Sequence, residues 1–309
     1  MPIKVVRDLP AIEKLSNENI FVMDERRAEM QDFRELEILI VNLMPTKEAT
    51  EEQLLRLLSN SPLQIKVTFL RMASHHASNV SQEHLANFYR TFDDIKDQYF
   101  DGLIVTGAPV EHLEFETVNY WQELQAIMNW SKNHVFAELF ICWGAQAALY
   151  HRYGIEKYPL NHKLFGIYDQ YTLEPKAMLM RGFDEVFLMP HSRHTEVLAG
   201  DIEASGQLEI LVSAQETGPA VVHSRDHHSV YVFGHMEYDA ETLGLEYQRD
   251  LASGQDIQVP YNYYPEDYPQ QRPLLRWRSA ANLLVTNWLN YYVYQSTPFV
   301  IEKIKDHRD

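Results

Sequence analysis

The chain has 309 residues, 45% of them hydrophobic, which is enough for one large α/β domain or two ordinary ones with a substantial core. Its 27 Lys and Arg stand against 44 Asp and Glu, and the net charge of −17 argues against a nucleic-acid or anionic-membrane partner, since either would be repelled. No segment has the apolar length of a membrane span, the start from Met1 to Asp24 lacks the core and cleavage site of a secretory leader, and one cysteine excludes an internal disulfide framework; a cytoplasmic protein is expected.

Residues 1–35 carry Pro2, Pro10 and mixed charges without a sustained period, and read as an N-terminal arm packed on the domain or on a partner subunit. Residues 36–309 contain no repeat, low-complexity tract or Gly/Ser linker, and read as one domain. Glu37 to Leu43 is an almost uninterrupted aliphatic run, as expected of a strand buried on both faces of a parallel sheet. Thr46 to Leu58 follows as a helix with Leu54, Leu57 and Leu58 on one face, ended by Asn60-Ser61-Pro62. Ile65, Val67 and Phe69 alternate as a strand, residues 81–95 read as a helix, and Gly102 to Thr106 as another buried strand. Trp121, Leu124, Ile127 and Met128 have helical spacing, and their helix leads into the apolar run Leu139-Phe140-Ile141.

Further strands are expected at Gly166–Leu173, Leu208–Ala214, Ala220–His223 and Val230–Phe233. A helix is expected from Glu241 to Ser253, and a closing helix from Trp277 to Tyr294 carries Leu284, Trp288 and Tyr292 on one stripe. Alternating strands and helices imply an α/β fold with a mainly parallel sheet and right-handed crossovers. Ligands bind such sheets beyond the carboxyl ends of the strands.

Cys142 stands at one of those ends, where the apolar run gives way to Trp143-Gly144-Ala145-Gln146, a sequence suited to start a helix. A strand-to-helix turn around a thiol is a nucleophile elbow, which points sulfur at the positive end of a helix and favours the thiolate. A lone cysteine between Phe and Ile is also a common small core residue. A base is available downstream: Val230–Phe233 runs into Gly234-His235-Met236-Glu237, and in extended chain His235 and Glu237 point to the same side. Beside Cys142, His235 would take a proton while Glu237 holds its ring. Taken alone, His-x-Glu is equally an ordinary loop. The pairs His75-His76, His191 with His194, and His227-His228 lack metal-ligand spacing, and no glycine-rich nucleotide-binding pattern occurs, so neither a metal nor a resident cofactor is expected.

The segments Val41-Asn42-Leu43-Met44-Pro45, Asn60-Ser61-Pro62-Leu63, Asp101 to Pro109, Cys142-Trp143, Pro190-His191-Ser192-Arg193, Gly234 to Asp239 and Thr286 to Tyr292 together resemble the homoserine O-acyltransferase family of methionine biosynthesis, a branch of the class I glutamine amidotransferase superfamily. The resemblance covers essentially the whole chain. It implies a flavodoxin-like, three-layer fold with Cys142 as acyl-thioester nucleophile, His235 as general base and Glu237 as its partner. Phe140 stands where glutamine-hydrolysing relatives carry glycine, which weakens an amidase reading. A ping-pong transfer is implied, from an acyl-coenzyme A to Cys142 and then to an amino-acid hydroxyl.

The oxyanion donors expected are the N–H groups of Trp143 and, from the Gly107-Ala108 turn, Ala108, at about 3 kcal/mol each. Glu246 and Arg249, three apart on one helix, suit the ammonium and carboxylate of an amino acid, or form a surface ion pair. The resemblance carries Arg249, Lys163 and Ser192 over as substrate contacts. Lys47 either polarises the acyl carbonyl or is a solvated lysine. Glu111 occupies a position where, in the family, a small residue goes with succinyl donors and glutamate with acetyl donors. Two like charges about 4 Å apart in a partly desolvated site cost roughly 4 kcal/mol, so acetyl-CoA is the expected donor unless Glu111 faces solvent. L-homoserine is the expected acceptor, with serine the alternative. The apolar closing helix and the arm suggest a homodimer.

Overall fold

The computed structural model describes residues 3–4, 9–17, 22–23, 34–75 and 80–307. Most of the expected arm lies outside that set. Its described parts are two short strands, β1 (Ile3–Lys4) and β2 (Val22–Met23), and a helix, α1 (Ala11–Asn17).

Strand and helix then alternate: β3 (Leu36–Val41), α2 (Lys47–Leu58), β4 (Ile65–Leu70), α3 (Gln82–Phe88), β5 (Tyr89–Arg90), α4 (Phe92–Ile95), β6 (Phe100–Val105), α5 (Trp121–His134), β7 (Val135–Ile141) and α6 (Trp143–Tyr153). The second half contains β8 (Tyr158–Thr172), β9 (Val186–Glu196), α7 (Ala199–Ala204), β10 (Leu208–Ala214), β11 (Gly218–Ser224), β12 (Ser229–Val232), α8 (Thr242–Ala252) and α9 (Arg278–Asn287). A π-helical stretch, Trp288–Tyr294, continues α9, so the expected closing helix is one rod with a wider last section.

Twelve strands form one sheet in the order β2-β1-β4-β3-β6-β7-β12-β11-β10-β8-β9, with β5 on β4. From β2 to β12 all pairings are parallel, and from β12 to β9 all are antiparallel. The aliphatic runs sit in the parallel part because both faces there are covered. Ile38 and Ile40 of β3 pack with Leu54 of α2 and with Leu284 and Trp288 of the closing rod, whereas Leu39 and Val41 pack with Leu124 of α5 and Trp143 of α6. The result is three layers, helix on sheet on helix.

Two expectations are corrected. Residues 81–95 are not one helix: Ser81 caps α3 by accepting from the His84 N–H at 3.0 Å, but Tyr89 leaves it as a strand beside Phe69, and a Thr91/Asp94 capping box starts α4 anew. The strand β9 was unforeseen, because Pro190, His191, Ser192 and Arg193 break any aliphatic pattern. It pairs with β8 over a long register in which Phe165 faces Ser192.

The chain crosses from β4 over β3 to β6, which makes the carboxyl ends of β3 and β6 a topological switch point. The loops after β3, β6, β7 and β12 all open there. Their residues Pro45, Ala108, Cys142 and His235 line one cleft of about 460 Å3.

Candidate active site

Cys142 forms the bend between β7 and α6, with φ 49° and ψ −115°, a conformation that L residues rarely adopt. Its own N–H donates to the Val232 carbonyl at 2.7 Å, and its carbonyl accepts from Ala145 and Gln146, so the strand and the helix hold the bend from both sides. Only 3% of the residue is exposed, yet it lines the cleft. The elbow depends on a close approach. A Cβ on Gly144 would lie 2.6 Å from the Thr106 carbonyl oxygen, so only glycine lets α6 start against β6.

His235 is positioned by backbone first: its N–H donates to the Pro190 carbonyl at 2.8 Å, and its ring stacks on Tyr238 with centroids 4.2 Å apart. Nδ1 donates to Glu237 at 2.7 Å. Here the expectation of extended chain is corrected, because residues 235–238 form a turn closed by the Tyr238 N–H on the His235 carbonyl, and it is this turn that folds Glu237 back under the ring. With Nδ1 engaged, Nε2 is left for sulfur. Burial alone would push the imidazole below its ordinary 6.5; the charges of Cys142 and Glu237, with side-chain hydrogen bonds to both, hold it well above. The arrangement favours the imidazolium form of His235. Gly107 stands against both partners, since a Cβ there would be 3.3 Å from Cys142 Cβ and 3.4 Å from His235 Cε1.

Trp143, in the first turn of α6, has an N–H with no intrahelical acceptor, and Ala108 lines the cleft next to Cys142. The Trp143 side chain is fully buried under the sheet and takes no part in the cleft.

On the far side of the cleft, a polar cluster converges on Glu246. Ser192 Oγ donates to Glu246 Oε2 at 2.6 Å, Tyr238 donates to Oε1 at 2.8 Å, and Lys163 Nζ lies 3.5 Å from Oε2. Lys163 also donates to Asp250 at 3.0 Å and sits over the Phe165 ring at 4.0 Å. Arg249 Nε donates to Asp250 at 2.8 Å, while its side chain is 65% exposed and lines the cleft mouth. Burial opposes charge on Asp250, and the hydrogen bonds from Arg249 and Lys163 outweigh it, so its carboxyl stays below the usual value. Lys163, Ser192, Glu246 and Arg249 are thus brought together as expected. Tyr238 and Asp250 are additions. Both adjoin residues already singled out, but neither carries a spacing signal of its own.

Glu111 lines the cleft rather than facing away from it. Burial raises its carboxyl, against the pull of His235 and Lys163. The solvated-lysine expectation for Lys47 is corrected. The side chain is neither solvated nor in the cleft lining: its Nζ donates inward to the Asn42 carbonyl at 2.6 Å and to Met44 at 3.3 Å, and burial lowers its pKa to about 8. It fastens the loop whose Met44 and Pro45 form one wall. No group of three metal-capable side chains occurs among the described residues; His76 lies outside them.

A family model described as homoserine O-succinyltransferase matches residues 2–299. A protein from Acetivibrio thermocellus named homoserine O-acetyltransferase is 56% identical over 305 residues, covering 99% of this chain and 100% of that one. A Bacillus cereus protein of the same name is 54% identical over 301 residues, covering 97% and 100%. Among solved structures, a glutamine amidotransferase from Thermotoga maritima superposes with a TM-score of 0.58 at 12% identity, over 85% of this chain and 100% of that one. That likeness supports a class I glutamine amidotransferase fold and speaks to nothing further.

Proposed function

The chain belongs to the homoserine O-succinyltransferase family, and on that premise we propose that it transfers acetyl from acetyl-CoA to the hydroxyl of L-homoserine through a thioester on Cys142. The observation that carries this reading is the cleft itself, lined by an elbow cysteine, by a histidine held from behind by Glu237, and by the polar cluster around Glu246.

In the first half-reaction the Cys142 thiolate bonds to the acetyl carbon. The tetrahedral oxyanion rests on the N–H groups of Trp143 and Ala108; as it collapses, the bond to coenzyme A sulfur breaks and that sulfur takes the proton from His235. In the second half, neutral His235 accepts the homoserine hydroxyl proton while the oxygen attacks the thioester. Collapse expels the Cys142 thiolate, restores the ion pair with His235 and releases O-acetylhomoserine. Glu237 keeps Nε2 facing the reacting atoms and stabilises each imidazolium. No resident cofactor enters the scheme.

Two cations and two hydrogen-bonding acidic groups suit the acceptor. Arg249 offers a fork for the carboxylate, and Glu246, fixed by Ser192 and Tyr238, accepts from the ammonium. For the donor, Glu111 supports acetyl. Its raised carboxyl marks a poorly solvated place, where a succinyl carboxylate would meet a second acid. The relatives named homoserine O-acetyltransferase point the same way.

Intact-protein mass spectrometry after mixing with acetyl-CoA alone tests the reading. A single acetyl adduct is expected on the wild type, absent in Cys142→Ala and discharged by homoserine. Turnover with succinyl-CoA equal to that with acetyl-CoA, or with serine equal to homoserine, would overturn the respective assignment.

A further inference from the structure

A net charge of −17 should repel coenzyme A, a polyanion, so a donor site needs local positive charge. The cations nearest the chemistry do not supply it. Lys163 is neutralised by Asp250 and Glu246, Lys47 points inward at carbonyls, and Arg193 is buried on the carbonyls of Thr195 and Thr217.

A second cleft is lined by more cations than acids. It measures about 840 Å3, within the roughly 300–1,000 Å3 usual for small-molecule sites. Four cations, Lys14, Arg56, Arg272 and Arg278, line it with two carboxylates, Asp239 and Glu241. Arg56 is held by Asp239 at 2.6 Å, Lys14 pairs with Glu52, and Arg272 touches Glu241 at 3.4 Å in an exposed contact. Among the described residues Arg278 has no ion-pair partner, and it is exposed.

The two clefts are threaded along one helix. Ala49, Thr50 and Gln53 of α2 face the cysteine cleft; Arg56, and Ser59 and Asn60 just beyond the helix, face the basic one. The two clefts also meet a common small crevice of about 20 Å3, which shares Gln53 and Tyr238 with the first and Arg56, Asp239 and Arg278 with the second, so an arm running between them lies over the surface of α2 rather than through the interior. From Ala49 to Asn60 a helical rise of 1.5 Å per residue gives about 16 Å. The arm of coenzyme A, cysteamine joined by two amides to its phosphates, is about as long as four or five extended residues, roughly 15 Å.

Building on the transferase reading, we infer that the basic cleft of Lys14, Arg56, Arg272 and Arg278 binds the phosphate-bearing nucleotide end of the acyl donor, with the arm lying along α2. The thioester then reaches Cys142 while the charged end stays out of the acidic, poorly solvated pocket around Glu111. Arginines suit this role because their forks match phosphate oxygens.

Two measurements test it. In steady-state kinetics, the double variant Arg272→Gln/Arg278→Gln should raise the KM for acetyl-CoA about tenfold, with kcat and the turnover of S-acetylpantetheine, which lacks the nucleotide, changed less than about twofold. In calorimetry, adenosine 3′,5′-bisphosphate should bind the wild type, more weakly as salt rises, and the double variant at least about tenfold more weakly. Equal losses on both donors, no loss on either, or no bisphosphate binding to the wild type would overturn the inference. A wild type that binds the bisphosphate but transfers acetyl from neither donor would instead refute the transferase reading and leave the anion site standing.

Discussion

The parallel and antiparallel parts of the sheet contribute to the cleft by different means. In the parallel part, β3, β6, β7 and β12 end at one edge, and what they deliver is backbone: a bent cysteine, a glycine turn, an N–H at a helix start and a histidine hung from a carbonyl. In the antiparallel part, β8 and β9 deliver side chains from the face of a ribbon, where Phe165 is paired with Ser192 and Lys163 lies above the Phe165 ring. On the proposed mechanism, chemistry that needs fixed donors sits where covalent geometry holds it, and recognition, which tolerates adjustment, sits on side chains tied to one another.

The sharpest way to break that division is at the elbow. Cys142→Ala should lower turnover by at least about 10^4 while thermal unfolding stays near that of the wild type; residual transfer above that level would mean that the sulfur is not the acyl carrier. Next, Glu237→Gln should cost about 10^3 in kcat, since the ring loses the partner that fixes its tautomer. Its pH signature has a definite sign. His235 is raised in the folded state, so its stabilising contribution is full below about pH 6.5 and fades as pH climbs through the raised folded value. In Glu237→Gln the ring titration, followed by NMR, should move to lower pH, and an unmoved titration would contradict the ion-pair account.

Backbone placement is then probed by Gly144→Ala, whose methyl would lie 2.6 Å from the Thr106 oxygen. It should destabilise the fold by about 1–3 kcal/mol in denaturant unfolding and slow acylation, because α6 is pushed from the Gly107-Ala108 turn. The smallest effect belongs to the ribbon. Ser192→Ala removes a hydrogen bond to a carboxylate and should raise the homoserine KM about tenfold with kcat nearly kept. If kcat fell as far as in Glu237→Gln, the two parts of the sheet would not divide the labour as described.

The same division governs how much can be read from sequence. Strands buried on both faces announce themselves as aliphatic runs, and a cysteine between such a run and a helix start is an elbow by local pattern alone, so the edge carrying Cys142 is legible residue by residue. Ser192 and Lys163 are not, because β9 interrupts its apolar residues with a proline, a histidine and an arginine whose partners lie on other segments. Their proposed roles rest on the family resemblance, and the geometry adds the clustering on Glu246 that no local spacing encodes. The burial of Lys47 is hidden for a related reason: its acceptors are carbonyls of its own loop, visible only once the chain turns. Tyr238 lay inside a quoted motif, but its stacking and its bond to Glu246 require α8 in place.

The backbone at Cys142, with φ at 49°, is one that a residue bearing a Cβ resists and glycine accepts. Two inert proteins can therefore be compared, Cys142→Ala and Cys142→Gly, and the second should melt higher by the equivalent of about 1 kcal/mol, although glycine ordinarily weakens folded chains. On the proposed mechanism, heat would then favour the variant that makes nothing, and only the need for product would keep a thiol at the corner.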